Sequence, residues 1–243
     1  MLWFIKSVLF LSLFGIVTVY YCFFAFLEKL KKLINPKKKL DNKIHSLAGK
    51  WAHALFKLTP GWSIKLINKE KLPKEGTPFV IIANHESATD ILALYYLKRQ
   101  FRWFSKEENF KLPLIGSAMK SADYIPIKRG DKQSSRKALE LCKEKLRHNT
   151  PILFFPEGTR STLGYPKTFK PGAFKISQEM NLPVLPIVLK GAGKLLTKGS
   201  LAPNKATITM KILDLIYPQK EESLADYTLR VEQLMRKEHQ DLN

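Results

Sequence analysis

Phe79-Val80-Ile81-Ile82-Ala83-Asn84-His85-Glu86-Ser87-Ala88-Thr89-Asp90 opens with five apolar residues and then turns polar at once. The apolar part is too short for a helix and rich in β-branched residues, so it reads as a strand buried on both faces. The segment after it, about Thr89–Arg99, has helical patterning. The same alternation fills the chain from about Gly61 onward. Strands are predicted at Trp62–Ile67, Pro78–Ala83, Arg102–Ser105, Tyr124–Ile127, Pro151–Phe155, Val184–Leu189 and Ala206–Ile216. Further helices are predicted near Pro113–Ser121, Lys132–His148, Gly172–Glu179 and Glu221–Glu238. Strands alternating with helices define an α/β fold with a mainly parallel sheet flanked by helices. In such sheets ligands bind beyond the carboxyl ends of the strands.

The residues with chemical potential fall at those ends. His85 and Asp90 are five apart, which in a regular helix is about 140° of rotation, so they would not share a face. They meet only if His85 lies on the loop and Asp90 in the first turn of the next helix, which Ser87 or Thr89 is placed to cap. A carboxylate against an imidazole fixes its tautomer and supports the charge it gains as a base. Taken alone the pair also fits a histidine bonded to backbone at a strand end. A second block, Phe155-Pro156-Glu157-Gly158-Thr159-Arg160-Ser161, follows another apolar run. Pro and Gly force a turn there, and Arg160 offers a fork for phosphate, or for a structural carboxylate. Lys106 and Arg129 stand near strand ends and, singly, read as surface cations.

The other end of the chain is different in kind. Ser7 to Leu27, 21 positions, carries no charge. At about 1.5 Å per residue this helix reaches roughly 31 Å, the thickness of a bilayer core. Its length and the lack of a small-x-small site before the basic stretch argue against a cleaved signal. It either spans the bilayer or lies half-inserted. Lys29, Lys31, Lys32, Lys37, Lys38, Lys39 and Lys43 follow it; if the helix spans, this bias puts their side in the cytoplasm, and it favours an anionic membrane surface. After Pro36 a second helix, about Asp41 to Leu58, places Ile44, Leu47, Ala48, Trp51, Ala54, Leu55 and Leu58 on one stripe. His45 and His53 read as surface or interfacial. Residues 1–60 thus form a membrane-seated helical hairpin, and residues 61–243 the α/β domain.

The whole chain has 243 residues, 45% of them apolar, and a net charge of +20, which excludes wholesale disorder and calls for an anionic partner. The two cysteines, Cys22 and Cys142, lack CxxC spacing and are expected to be free thiols.

Together the blocks resemble the glycerophospholipid acyltransferases typified by 1-acylglycerol-3-phosphate acyltransferase. Asn84-His85-x4-Asp90 resembles the family's first motif and Ile125-Pro126-Ile127-Lys128-Arg129 its second, with Lys128 where an acid or small residue is common. Phe155 to Ser161 resembles the third motif throughout, and Leu182-Pro183-Val184-Leu185-Pro186-Ile187-Val188 the fourth. Lys106 stands where a Lys of the linking segment is found, and Lys170-Pro171-Gly172-Ala173 is similar too. The likeness runs in order from about Gly61 to Leu189. It implies a glycerol-3-phosphate acyltransferase-like fold and acyl transfer from acyl-CoA or acyl carrier protein to lysophosphatidic acid, giving phosphatidic acid. His85 would be the base and Asp90 its orienting partner. Arg129, Arg160 and Lys106 would hold the acceptor phosphate, with Glu157, Gly158 and Thr159 beside it. No metal, cofactor or acyl-enzyme is expected, since His85-Glu86 lacks the second His of a zincin and there is no GxSxG. The competing readings are an acyltransferase for a different lysophospholipid, a membrane-tethered basic binding protein, and an inactive scaffold. A nucleic-acid binder is disfavoured, because the charge concentrates beside the apolar helix instead of interleaving with aromatics.

Overall fold

The computed structural model describes residues 2–35, 39–128, 130–161, 166–196 and 202–242. Pro36, Lys37, Lys38 and Arg129 lie outside these. Seven strands form one sheet in the order β1-β7-β6-β2-β5-β3-β4. They are β1 (Trp62–Ile67), β2 (Val80–Ala83), β3 (Arg102–Lys106), β4 (Ile125–Ile127), β5 (Ile152–Phe154), β6 (Val184–Lys190) and β7 (Ala206–Ile212). Every pairing is parallel except β6 with β7. The expected mainly parallel sheet is therefore present, and the predicted strands differ from the observed ones only at their ends.

Alternation along the strands divides the core into two layers. Phe79, Ile81, Ala83, Leu153, Leu185, Ile187 and Leu189 face one side with residues of the two N-terminal helices, α1 (Leu2–Ile34) and α2 (Asp41–Leu58), and of the short α3 (Asp90–Leu94). Val80, Ile82, Ile152, Phe154, Val184 and Val188 face the other, under α5 (Lys132–Arg147), α6 (Gly172–Met180) and α8 (Leu224–Asp241). α4 (Ile115–Ser121) packs at the β4 edge with Phe110, Tyr124 and Ala25, and α7 (Ala192–Leu195) follows β6.

The N-terminal hairpin is thus one layer of the sandwich. Phe10 packs on Trp62 with ring centroids 5.4 Å apart, and Phe14 on Trp51 at 5.8 Å. The indole N–H of Trp51 donates to Thr18 Oγ1 at 3.0 Å. Each large apolar side chain buried there contributes about 1.5–3 kcal/mol. The rest of α1 stays uncovered, with Phe4, Leu9, Ile16, Tyr20, Phe23, Phe26 and Leu33 exposed.

One expectation fails in this layer. His45 is buried, not interfacial. Its ring lies 4.6 Å from Phe101, its Nε2–H donates to the Arg99 carbonyl at 3.1 Å, and its Nδ1 accepts from Tyr124 O–H at 3.1 Å. Tyr124 in turn meets Tyr95 Oη at 2.6 Å. Burial, and next the nearby Arg102 guanidinium, push the imidazole pKa down to about 3, against the smaller opposing pulls of the Arg99 carbonyl and then Asp41. The unfolded chain therefore takes up this proton first. The stabilisation is full above about pH 6.5 and is lost as the pH falls toward 3, by roughly 5 kcal/mol in all. Urea midpoints measured between pH 7 and 4 should fall steeply, and His45→Gln should flatten that slope.

Candidate active site

β2 lies between β6 and β5, and the chain leaves it toward one side of the sheet and crosses from β5 to β6 toward the other. Its carboxyl end is thus the switch point at which open α/β sheets bind ligands. Asn84 begins the loop there. Its side-chain N–H donates to the Leu189 carbonyl at 2.8 Å, and its Oδ1 accepts from Leu189 N–H at 2.7 Å. The amide thus continues the β2–β6 ladder one step past the strand and fixes where the next residue starts.

That residue is His85. Its backbone N–H donates to Glu157 Oε1 at 2.7 Å, and its carbonyl accepts from Ser161 N–H at 2.7 Å. Its ring stacks on Phe155 at 4.2 Å and 21°. The two sequence blocks therefore clamp one another. Glu157 is buried, and its second oxygen accepts from Lys167 N–H at 3.0 Å. Burial, chiefly, raises its pKa. The resemblance places it beside the acceptor phosphate. Instead both of its oxygens hold backbone, one joining the loop after β2 and the other the segment that leads to α6.

His85 and Asp90 are brought together as the loop-and-first-turn geometry requires. Nδ1–H donates to Asp90 Oδ2 at 2.6 Å. The same oxygen accepts from the backbone N–H of Glu86 at 2.7 Å and of Ser87 at 2.9 Å. Asp90 is wholly buried; burial pushes its pKa up, while His85 and the Ser87 N–H pull the other way. The capping expectation is corrected here. Neither hydroxyl caps α3: Thr89 Oγ1 donates to the Ala192 carbonyl at 3.2 Å, and Ser87 Oγ accepts from Thr89 N–H at 3.3 Å. Asp90 itself reaches back to the free N–H groups of the turn, where a helix start favours negative charge. With Nδ1 committed, Nε2 is the nitrogen left for a substrate.

Two of the predicted cations are exposed at neighbouring strand ends and loops. Arg160 is exposed after the Gly158 turn, and Lys106 is exposed at the end of β3. Gly158 has φ +70°, and a Cβ there would lie 2.8 Å from Lys170 Nζ. Lys167 Nζ donates to the Arg160 carbonyl at 2.8 Å. Lys167 carries no sequence signal of its own, since the chain is rich in lysine. Thr159 is exposed and Gly158 partly so.

Glu86 shows a connection that spacing could not reveal. Its Oε2 accepts from Gly191 N–H at 3.0 Å and Gly193 N–H at 3.2 Å, and its Oε1 accepts from His239 Nε2–H at 3.1 Å. Gly191 has φ +98°, and a Cβ there would sit 2.5 Å from the Thr207 carbonyl oxygen. Lys190 Nζ donates to the His239 and Leu242 carbonyls, so the end of α8 is tied to this loop. Glu86→Ala leaves three donors without their acceptor. It is expected to cost about 2–3 kcal/mol of stability, read from the urea midpoint.

A His–Asp couple at the mouth of a central parallel strand, clamped by a Pro-Glu-Gly turn, has the parts of a general base, and the comparisons give the class: the chain belongs to the acyltransferase family, whose profile matches residues 63–190. Over 169 residues it is 38% identical to the 1-acyl-sn-glycerol-3-phosphate acyltransferase of Chlamydomonas reinhardtii, covering 68% of this chain and 50% of that protein. It is 38% identical over 156 residues to the chloroplastic enzyme of that name from Arabidopsis thaliana, covering 64% of this chain and 43% of that one. With the Helicobacter pylori protein of the same name it shares 34% over 160 residues, 65% of this chain and 68% of that one. The chain spans about half the length of the algal and plant relatives. The crystal structure of the lysophosphatidic acid acyltransferase PlsC from Thermotoga maritima superposes with a TM-score of 0.80 at 23% identity, over 98% of this chain and 96% of that one. The likeness places the two in one fold.

Proposed function

We propose that this protein acylates the free sn-2 hydroxyl of 1-acylglycerol-3-phosphate from an acyl thioester, yielding phosphatidic acid. The observation that carries this reading is the His85–Asp90 contact of 2.6 Å at the carboxyl end of β2. The printed names of the relatives agree with it. In the reaction His85 Nε2 takes the hydroxyl proton as the oxygen attacks the thioester carbonyl. The tetrahedral adduct collapses with cleavage of the C–S bond, and the imidazolium returns the proton to the leaving thiolate. Asp90 supports the transient positive charge. Arg160 and Lys106, with Lys167 and Lys170 close by and Arg129 after β4, hold the acceptor phosphate. Glu157 acts by fixing the His85 backbone.

We further infer that the uncovered face of α1 lies in the lipid. Because α1 is packed on α2 through Phe14 and Thr18 and on β1 through Phe10, the body must accompany it, which suits a helix lying in one leaflet over one that crosses alone. The lysines that follow α1 then lie against the headgroups of that leaflet, beside the catalytic body. Acceptor and product both live at that surface. The test is an acceptor panel in mixed micelles with labelled acyl-CoA and acyl carrier protein as separate donors. Lysophosphatidic acid should be acylated at least tenfold faster than lysophosphatidylcholine or lysophosphatidylethanolamine. Equal or inverted rates would assign the enzyme to another lysolipid.

A further inference from the structure

The last turn of α8 reaches the catalytic loop through a side chain of the loop itself. Glu86 lies between His85 and Ser87, and its backbone N–H is one of the donors to Asp90 Oδ2. Its side chain runs the other way, into the protein, and keeps only 8% of its surface exposed. One oxygen gathers the N–H groups of Gly191 and Gly193, and the other accepts from His239 Nε2–H. Asn84 and Thr89 fasten the same loop to the β6–α7 segment, at Leu189 and Ala192. Glu86 carries the connection one layer further, to α8.

The far end of that connection is firm. Val231, Met235 and His239 follow one another at a spacing of four, so they share one stripe of α8. All three are buried, the first two in the core layer under the sheet. A polar ring on such a stripe is costly without a partner, and Glu86 is a partner. Lys190 Nζ donates to the His239 and Leu242 carbonyls, where a helix end leaves its carbonyls open. The residue after the base is thus held at both ends, by Asp90 at its N–H and by α8 at its carboxylate. Without the α8 contact, only the two glycine N–H groups would hold the carboxylate, and Glu86 would be freer to shift. His85 is its neighbour in the chain, and Ser87 N–H is the next donor to Asp90. Proton transfer is sensitive to such shifts: a misplacement of about 1 Å costs roughly 10²-fold in rate.

We propose that Glu86 and His239 are positioning residues for the acyl-transfer step. The carboxylate ties the segment that presents His85 to the packed end of α8, and so keeps the imidazole and Asp90 in register. The inference rests on His85 acting as the base. It gives a part in the rate to a residue well beyond the segment 63–190 that matches the family.

Steady-state kinetics on the full chain, run below the unfolding midpoint of every variant, tests this. His239→Leu should lower kcat about tenfold and leave KM for lysophosphatidic acid within about twofold. His239→Gln, whose side-chain N–H can still donate to Glu86, should return kcat to within about threefold of the wild type. Tyr227→Phe strips a buried hydroxyl, bonded to Ser177 and to the Ile216 carbonyl, from the opposite end of the same helix. It should lower the unfolding midpoint and leave kcat unchanged. A second readout needs no turnover. The proton resonance of His85 Nδ1–H, identified by its loss in His85→Ala, should move in His239→Leu and keep its place in His239→Gln and Tyr227→Phe. Should His239→Leu not fold, Glu86→Asp takes its place: it keeps the charge, is one methylene too short for all three donors, and should show the same kcat loss and resonance shift. Wild-type kcat in His239→Leu, an unmoved resonance, or equal kcat losses in His239→Leu, His239→Gln and Tyr227→Phe would overturn the proposal. Full activity in His85→Ala would instead overturn the reading on which it rests.

Discussion

His85→Ala is expected to lower kcat for acyl transfer by about 10³-fold or more while leaving the fold intact. Removing a positioned general base costs about 10²–10⁴ in rate, equivalent to roughly 3–5 kcal/mol of barrier. The fold should tolerate the change because the clamps on this residue are made by its backbone: the N–H to Glu157 and the carbonyl to Ser161 survive truncation at Cβ. Circular dichroism and urea unfolding should move by no more than about 1–2 kcal/mol, the cost of the lost stack on Phe155 and of one donor to Asp90. KM for the lysolipid should change little, since the proposed assignment gives the phosphate to other residues. A variant with tenfold or smaller loss of kcat would remove His85 from the role of base.

Replacing Asp90 should act on both activity and stability, and the two parts separate by the choice of residue. Asp90→Ala leaves three donors in a buried place without an acceptor: the imidazole Nδ1–H and the N–H groups of Glu86 and Ser87. At about 1–3 kcal/mol for each orphaned group, this change should destabilise by several kcal/mol and cut kcat by about 10³-fold. Asp90→Asn is the sharper probe. The two backbone N–H groups select the amide oxygen for the Oδ2 position, so the same imidazole tautomer is held, but the negative charge that supports the imidazolium is gone. Stability should then drop by only about 1–2 kcal/mol, while kcat still falls by about 10²-fold. Steady-state kinetics with urea unfolding on both variants checks this. Wild-type kcat in Asp90→Asn would show that the carboxylate only orients its neighbour.

The architecture was legible because strands buried on both faces leave continuous apolar runs, such as Phe79 to Ala83 and Val184 to Leu189, and helices leave a different period. The site was legible in part for the same reason: chemistry-bearing residues stand where those runs stop. What could not be read is what depends on contacts between distant segments. His239 is 153 residues from Glu86, and nothing in its surroundings marks it as a partner of the catalytic loop. Glu157 was placed beside the acceptor by the resemblance of its motif, yet its carboxylate turns inward to two backbone N–H groups. His45 looked interfacial because its helix is amphipathic, but it falls on the side that meets Phe101 and Tyr124. The apolar character of α1 was plain from composition. That one stripe of it completes the main core was not, because a helix that is apolar all round gives no hint of which side is covered.

The central claim is that a histidine base delivers the acceptor hydroxyl straight to the thioester, and a rapid-quench experiment with radiolabelled acyl thioester tests it most directly. With lysophosphatidic acid present, label should pass into phosphatidic acid with one thiol released per product, and without acceptor no label should stay on the denatured protein. Label bound to protein that then chases into phosphatidic acid at the turnover rate, or no labelled lipid with either donor, would contradict the account.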